Sequence, residues 1–188
     1  MMDRRKYLKA LATRLTDEIV VATYSSASDW LDIADRPLNY FSVGAMGLAS
    51  SHGLGLALAR PERRVIIIDG DGSLLMNLGT LVTIGAVAPV NFTHLVSHNG
   101  SYEANGGQPI PNKSVDFAAI ARGAGYKACH TISEIADFES KLDDLLHADG
   151  PLFADLMIEQ GAIKSHDYPG MYSADRRALL RKTLDADD

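Results

Sequence analysis

The sequence predicts a three-layer α/β/α fold built on a mainly parallel sheet. Short apolar segments rich in β-branched residues alternate with segments of helical periodicity along most of the 188 residues. The segment RRVIIID (63–69) contains four consecutive apolar residues, which is typical of a strand buried on both faces, as in a parallel sheet. Polar, glycine-rich loops follow two of the predicted strands. In such sheets ligands bind beyond the carboxyl ends of the strands, so we expect the chemistry there.

The elements follow one another without a repeat or a linker. Six segments have the length and composition of strands: 18–23, 38–43, 63–69, 91–97, 126–131 and 151–159. The segments predicted to be helical are 1–15, 26–34, 46–59, 73–88, 115–125 and 132–148. The tail, about 161–188, is predicted to be irregular and then helical. We therefore expect one domain over residues 1–188.

Composition excludes several classes of function. The formal net charge is −6 and no basic stripe stands out, so nucleic acid is not expected as a partner. The single cysteine, Cys129, can form neither an intramolecular disulfide nor an all-cysteine metal site. Segment 1–15 is a charged amphipathic helix without the apolar core of a signal peptide, and no apolar run has transmembrane length. A soluble cytoplasmic protein with no membrane partner is expected.

The loop Gly70-Asp71-Gly72-Ser73 follows the clearest strand. Its glycines permit a tight turn and leave the backbone N–H groups accessible. Ser73 can cap the following helix, whose first N–H groups could bind a phosphate. Asp71 is a natural ligand for a hard cation. Taken alone, the tetrapeptide is more simply an acidic turn between a strand and a helix. Asp69 is expected to end the strand and hydrogen-bond the loop.

A second polar loop, HNGSYEANGGQPIPNKS, follows the next strand along the chain. In a βαβ unit its first residues lie beside the first loop. Asn99 offers an amide oxygen, and Gly100 permits a turn that could aim the Ser101 carbonyl inward. With Asp71 these groups form an incomplete octahedron, which Mg²⁺ tolerates when diphosphate oxygens and water complete it.

The order of GDGS, a helix, a strand and Asn99-Gly100 resembles the diphosphate-binding motif of thiamine diphosphate enzymes. The resemblance covers about residues 15–160 and, over 40–84 and the NGGQP segment, is greatest to sulfopyruvate and phosphonopyruvate decarboxylases. The separation of 28 between Asp71 and Asn99 is at the long edge of the family spacing, and His98 stands where the family often has asparagine.

The resemblance implies a cofactor and its ligands. Thiamine diphosphate is expected to bind through its diphosphate to Gly70, Asp71, Gly72 and Ser73. Mg²⁺ is expected between the Asp71 carboxylate, Asn99 and the Ser101 carbonyl, which also contribute to cofactor binding. The implied reaction is decarboxylation of a 2-oxoacid, with the cofactor as electron sink.

The segment GAMGLASSHGLGLALA has more glycines than a helix favours, because each interior glycine costs about 1 kcal/mol relative to alanine. The resemblance assigns Met46 as the apolar wedge between the two cofactor rings, and the Gly44 carbonyl as acceptor for the 4′-amino group. These are the two residues expected to act in catalysis. Core packing is the simpler interpretation of Met46. Close packing against the sheet or a partner is an equal alternative for Gly53 and Gly55.

The resemblance also implies a partner chain. Catalysis in this family needs a glutamate that hydrogen-bonds the cofactor pyrimidine, and this residue lies on a separate pyrimidine-binding domain. A chain of 188 residues has room for the diphosphate-binding domain only. We expect a β subunit whose α subunit carries the pyrimidine-binding domain and the activating glutamate, in a hetero- or homo-oligomer.

The substrate is less determined. An anionic head group on the 2-oxoacid would favour donors from the second loop, and the candidates are His98, Asn105, Gln108 and Lys113. For each of them, a solvated loop residue is the simpler interpretation. Glu103 would oppose an anionic substrate if it faced the site.

Other functions are compatible with the same motif. The chain could belong to a carboligating synthase or an oxidoreductase with the same cofactor, although a single cysteine disfavours a ferredoxin-linked oxidoreductase. It could also be a binding module without catalytic activity. A Rossmann-like nucleotide-binding domain is disfavoured, because no Gly-x-Gly-x-x-Gly follows the first strand.

Overall fold

A computed structural model of the chain describes residues 1–162 and 166–186. Six strands form a fully parallel sheet, which confirms the predicted fold class. They are β1 Ile19–Ala22, β2 Asn39–Phe41, β3 Val65–Gly70, β4 Phe92–His98, β7 Ala128–Ile132 and β8 Leu152–Met157. Their order in the sheet is β2-β1-β3-β4-β8-β7. A small antiparallel pair, β5 Ser101–Tyr102 and β6 Gln108–Pro109, lies within the loop after β4.

The helices cover both faces of the sheet. They are α1 Arg4–Ala12, α2 Tyr24–Ile33, α3 Ala49–Ala59, α4 Asp71–Met76, α5 Thr80–Val87, α6 Phe117–Ala124, α7 Ile135–His147, α8 Tyr168–Met171 and α9 Ala174–Asp185. In residues 1–162 and 166–186, no helix has both the length and the apolar character needed to cross a membrane.

Two predicted helices differ from the observed ones. The glycine-rich helix predicted over 46–59 begins only at Ala49, because Gly47 has a φ angle of +90°, which an α-helix cannot contain. The helix predicted over 73–88 is two helices, α4 and α5, with a break after Met76 where Asn77 leaves the helical conformation. The apolar periodicity continues across this break, so periodicity alone could not reveal it.

Alternate residues of the central strand enter two different hydrophobic cores. Ile66 and Ile68 pack with Tyr7, Trp30 and other residues on the α1, α2 and α7 side. Val65 and Ile67 pack with a second cluster, under α3 to α6 and α9. All four strand residues are fully buried. The uninterrupted apolar run of β3 therefore reflects a strand with a core on each face, as the sequence indicated.

The strand order identifies the edge of the sheet where a ligand is expected. From β1 the chain moves outward to β2, and it then returns past β1 to place β3 on the other side. The crossover direction thus changes between β1 and β3, and ligands of open α/β sheets bind beyond the carboxyl ends of strands at such a point. The loops that follow β1, β3 and β4 converge at this edge.

Two glycines of α3 have contrasting surroundings. A Cβ on Gly53 would lie 2.5 Å from Cγ1 of Ile67 in β3, so this helix approaches the sheet too closely for any side chain. A Cβ on Gly55 would meet no atom within 4 Å. Close packing on the sheet therefore accounts for Gly53 and not for Gly55.

We expect Gly53→Ala to lower the free energy of unfolding by about 1–3 kcal/mol, because the added methyl group overpacks the core against Ile67. Gly55→Ala is the matched control in the same helix. It should raise the free energy of unfolding by up to about 1 kcal/mol, because alanine favours the helix. Urea unfolding measures both. Equal effects of the two substitutions would contradict the close approach of α3 to β3.

Candidate functional site

A pocket lies beyond the carboxyl ends of β1, β3 and β4. Three chain segments supply most of its wall: residues 23–26 after β1, residues 70–73 after β3, and residues 97, 99 and 101–104 at the end of β4 and beyond. Met46 and Arg4 complete it. The two loops that the sequence singled out therefore meet, and parallel pairing is the cause, since Gly70 lies opposite Ser97 in the register of β3 and β4.

Asp71 connects the two loops. Its Oδ1 accepts a hydrogen bond from the Gly72 N–H at 2.7 Å, and its Oδ2 accepts one from the Gly100 N–H at 2.6 Å. The residue is 2% exposed. Burial raises the pKa of this carboxyl group, and the backbone hydrogen bonds offset only part of that shift. A bound cation would stabilise the charged form.

Asn99 and Ser101 lie beside this carboxylate in the same pocket. Asn99 Oδ1 accepts hydrogen bonds from the Ser101 N–H at 2.9 Å and from the Ser101 hydroxyl at 3.0 Å. The Asn99 Nδ2 group donates to Glu103 Oε2 at 2.6 Å. The amide is thus held at both ends, with its oxygen on the side of Ser101.

Gly70, Gly72 and Ser73 of the first loop each have a different structural role. A Cβ on Gly72 would lie 2.5 Å from the Tyr102 ring, so only glycine fits where the second loop covers α4. A Cβ on Gly70 would meet no atom within 4 Å, and this glycine leaves room in the pocket. Ser73 lies inside α4 and does not cap it, because the helix already begins at Asp71. Its hydroxyl instead accepts a hydrogen bond from the Gly47 N–H.

Met46 and Gly44 occupy different positions relative to the pocket. Met46 lines it and is half-buried. Gly44 is exposed and does not line the pocket. Its backbone, however, hydrogen-bonds the phenol of Tyr24, and Tyr24 does line the pocket. Tyr24 has a φ of +47°, unusual for a side chain of this size, at the turn from β1 into α2.

The polar candidates of the second loop do not line the pocket. Asn105, Gln108 and Lys113 are exposed and lie outside its wall. His98 is buried, with Nδ1 3.0 Å from Asp155 Oδ1. Burial lowers the pKa of His98, but the hydrogen bond to Asp155 and the charges of Asp155 and Asp71 outweigh it, so the net shift is upward. Asp69 is likewise buried: it accepts from the Gly70 N–H and lies 3.2 Å from His94 Nε2.

A buried ion-pair cluster adjoins the pocket. Arg4 of α1 bonds Asp29 through Nε at 2.7 Å, and it bonds both Glu103 oxygens through Nη1 and Nη2, at 3.2 and 2.7 Å. Arg5 bonds the other Asp29 oxygen at 2.8 Å. Burial raises the pKa values of Asp29 and Glu103, but the Arg4 guanidinium outweighs this effect and both pKa values are lowered.

Sequence reasoning missed part of this site. The polar run Thr23–Ser26 follows β1, and its position at a strand end was a signal that could have found it. Arg4 gave no such signal, because a basic residue on an amphipathic helix is ordinarily solvated. Glu103 lines the pocket, but its negative charge is paired with Arg4. It would therefore repel an anionic substrate less than an unpaired carboxylate would.

The family model of the thiamine pyrophosphate enzyme C-terminal TPP binding domain matches residues 23–156. The chain belongs to the thiamine pyrophosphate enzyme family. The matched region includes the loops after β1, β3 and β4 that form the pocket wall. The expected family is therefore confirmed.

Two relatives are similar to the chain in sequence, and one solved structure shares its fold. It is 40% identical over 168 residues to phosphonopyruvate decarboxylase of Streptomyces viridochromogenes, a match that covers 89% of this chain and 42% of that protein. It is 36% identical to subunit beta of sulfopyruvate decarboxylase from Methanothermobacter thermautotrophicus, over 86% of this chain and 84% of that subunit. Benzoylformate decarboxylase of Polynucleobacter necessarius shares the fold, with a TM-score of 0.73 and 18% identity over 86% of this chain and 34% of that chain.

We expect Arg4→Met to lower the free energy of unfolding at pH 7 by about 3 kcal/mol or more, because it leaves the buried Glu103 carboxylate without its cation and Asp29 with only the more exposed Arg5. The lowered pKa values of Asp29 and Glu103 stabilise the wild type above their ordinary values of 3.8 and 4.5, and this stabilisation is lost as pH falls through the lowered values. The difference between variant and wild type should therefore shrink below about pH 4.

Thermal unfolding at pH 7 and at a pH below 4 measures this difference. Arg5→Met is the control, because Arg5 also bonds Asp29 but is more exposed and does not contact Glu103. It should cost less than about 1 kcal/mol. A loss in Arg4→Met that is independent of pH would contradict the ion-pair interpretation.

Proposed function

We propose that this chain is the diphosphate-binding subunit of a thiamine diphosphate- and Mg²⁺-dependent 2-oxoacid decarboxylase. The observation that carries the proposal is the hydrogen bond from the Gly100 N–H to the Asp71 carboxylate. It brings Asp71, Asn99 and Ser101 to one buried pocket at the switch point of the sheet. On this view the whole chain, 1–188, is one thiamine diphosphate-binding domain.

The donor set fits the magnesium ion. Asp71 supplies a carboxylate, Asn99 an amide oxygen and Ser101 a backbone carbonyl, and hard oxygen ligands of this kind are those that Mg²⁺ takes. Each Asp71 oxygen accepts one backbone hydrogen bond and retains lone-pair capacity for a cation. The Ser101 hydroxyl, which now bonds Asn99 Oδ1, can rotate away without moving the backbone.

The pocket wall also fits a diphosphate. Gly70 contributes open space, and Ser73, Thr23 and the serines at 25 and 26 contribute hydroxyl groups. When bound, thiamine diphosphate supplies the carbon nucleophile and the electron sink for loss of CO₂ from a 2-oxoacid. Met46, at the wall of the pocket, would hold the cofactor rings in their bent shape. The Gly44 backbone would orient the amino group of the pyrimidine.

The names of the relatives favour a 2-oxoacid with a second anionic group, such as sulfopyruvate or phosphonopyruvate. The exposed loop residues Asn105, Gln108 and Lys113 lie beyond the pocket and could contact such a head group only if the loop or a partner chain enclosed it. The activating glutamate and the pyrimidine-binding domain are proposed to come from an α subunit. The relative that is 36% identical is itself called a beta subunit.

We expect Asp71→Ala to abolish Mg²⁺-dependent binding of thiamine diphosphate, because the substitution removes the charged cation ligand. Calorimetric titration of the cofactor, with and without Mg²⁺, measures this for the chain alone and with its α subunit. Asp69→Asn is the matched control, since Asp69 lies outside the pocket and bonds His94 and Gly70. It should reduce stability while cofactor affinity changes less than threefold. Undiminished binding by Asp71→Ala would refute the site assignment.

We expect the two-subunit assembly to release CO₂ and the corresponding aldehyde from sulfopyruvate or phosphonopyruvate, and each subunit alone to be inactive. The assay should follow CO₂ and carboligation products in parallel, with pyruvate as a third substrate. Condensation of two pyruvate molecules as the main reaction would replace the decarboxylase by a carboligating synthase. Cofactor binding without turnover of any of the three would favour a non-catalytic module.

A further inference from the structure

Glu103 helps to determine the orientation of the Asn99 amide. A carboxylate accepts hydrogen bonds and cannot donate them, so the group of Asn99 that lies 2.6 Å from Glu103 Oε2 has to be the NH₂ group. The amide oxygen then points the other way, where it accepts from the Ser101 N–H. Glu103 thus holds the NH₂ end of the amide, while Ser101 holds the oxygen end.

Glu103 is itself held by the amino-terminal helix. Arg4 bonds both of its oxygens, although the two residues are 99 positions apart, and the Gly161 N–H adds a third hydrogen bond at 3.2 Å. Glu103 is 7% exposed. The guanidinium keeps the pKa of Glu103 low despite its burial, so the carboxylate remains an acceptor at neutral pH.

The charge of Glu103 is compensated within the cluster. Arg4 pairs with Glu103 and Asp29, and Arg5 pairs with Asp29 and with the more exposed Asp32. Glu103 can therefore bond Asn99 next to a site for an anionic cofactor without adding an unpaired charge to that region. A neutral acceptor in the same place would lack the bidentate pairing with Arg4 that fixes its position.

We propose that Glu103, held by Arg4, is a positioning residue that presents the Asn99 amide oxygen to Mg²⁺. This inference rests on the proposed function and deepens it. The proposal adds residues that do not bind the cation themselves, and one of them, Arg4, lies on α1 near the amino terminus. Removing a residue that hydrogen-bonds a metal ligand typically weakens the protein's affinity for the metal by about 10- to 100-fold.

The test is a double-mutant cycle between Glu103 and Asn99, performed on the chain together with its α subunit. Glutamine at position 103 keeps the shape of glutamate but has one oxygen, so it cannot accept from Asn99 and from both Arg4 nitrogens at once. We expect Glu103→Gln to raise the Mg²⁺ concentration for half-maximal thiamine diphosphate binding about tenfold or more. In an Asn99→Ala background, the same substitution should change that concentration by less than about twofold. Glu139→Gln, an exposed glutamate on α7, is the matched control and should have no effect.

Each outcome of the cycle is informative. If Glu103 only stabilised the fold, its substitution would weaken binding by the same factor in both backgrounds, and the proposal would be wrong. Wild-type binding that is lost in Asp71→Ala and unchanged in Glu103→Gln would overturn this inference alone. Absence of Mg²⁺-dependent binding in the wild type would overturn the proposed function and this inference with it.

If Glu103→Gln does not fold, the proposal can still be tested on the wild type without cofactor, by hydrogen exchange of the Asn99 side chain. In the wild type, the Asn99 side-chain NH₂ protons should exchange slowly with solvent and resonate at an unusual position in ¹⁵N-resolved NMR spectra. Exchange as fast as that of an exposed asparagine such as Asn105 would show that Glu103 does not hold the amide, and would refute the proposal.

Discussion

The Asp71 carboxylate joins the ends of two neighbouring strands. Its oxygens accept hydrogen bonds from the Gly72 N–H in the first loop and the Gly100 N–H in the second, at 2.7 and 2.6 Å. A buried carboxylate is costly unless hydrogen bonds or a cation compensate it. The rest of the site follows from this constraint, because the loop after β4 has to turn toward Asp71 and thereby brings Asn99 and Ser101 with it.

Parallel pairing makes this contact possible. β3 and β4 are central strands with cores on both faces, so their relative register is fixed by packing that lies well away from the pocket. Gly53 permits α3 to lie directly on Ile67 of β3. The scaffold is thus rigid below the loops, while the loops themselves carry the polar groups. This division is the usual one for ligand sites built on α/β sheets.

Ion pairs connect the pocket to the amino-terminal helix. Arg4 lies on the first helix, yet it lines the pocket beside Glu103 and, through Asp29, also holds α2. The cluster therefore ties the amino-terminal helix to the loop that carries the candidate ligand Asn99. The family model begins only at residue 23. The segment that precedes it here adds support that lies outside the matched domain.

The sequence by itself determined the parallel sheet, the position of β3 and the two loops at its functional edge. These features are local: an apolar run, a glycine-rich turn and a polar segment each act within a few residues. The family also followed from the resemblance of the GDGS and Asn99-Gly100 segments to the diphosphate-binding motif of thiamine diphosphate enzymes. Helix starts were less well predicted, because a positive φ angle at Gly47 interrupts a segment whose composition is otherwise helical. Only the tertiary structure decided that Glu103 pairs with Arg4 and orients Asn99, because residues 99 positions apart meet through packing that no local pattern encodes.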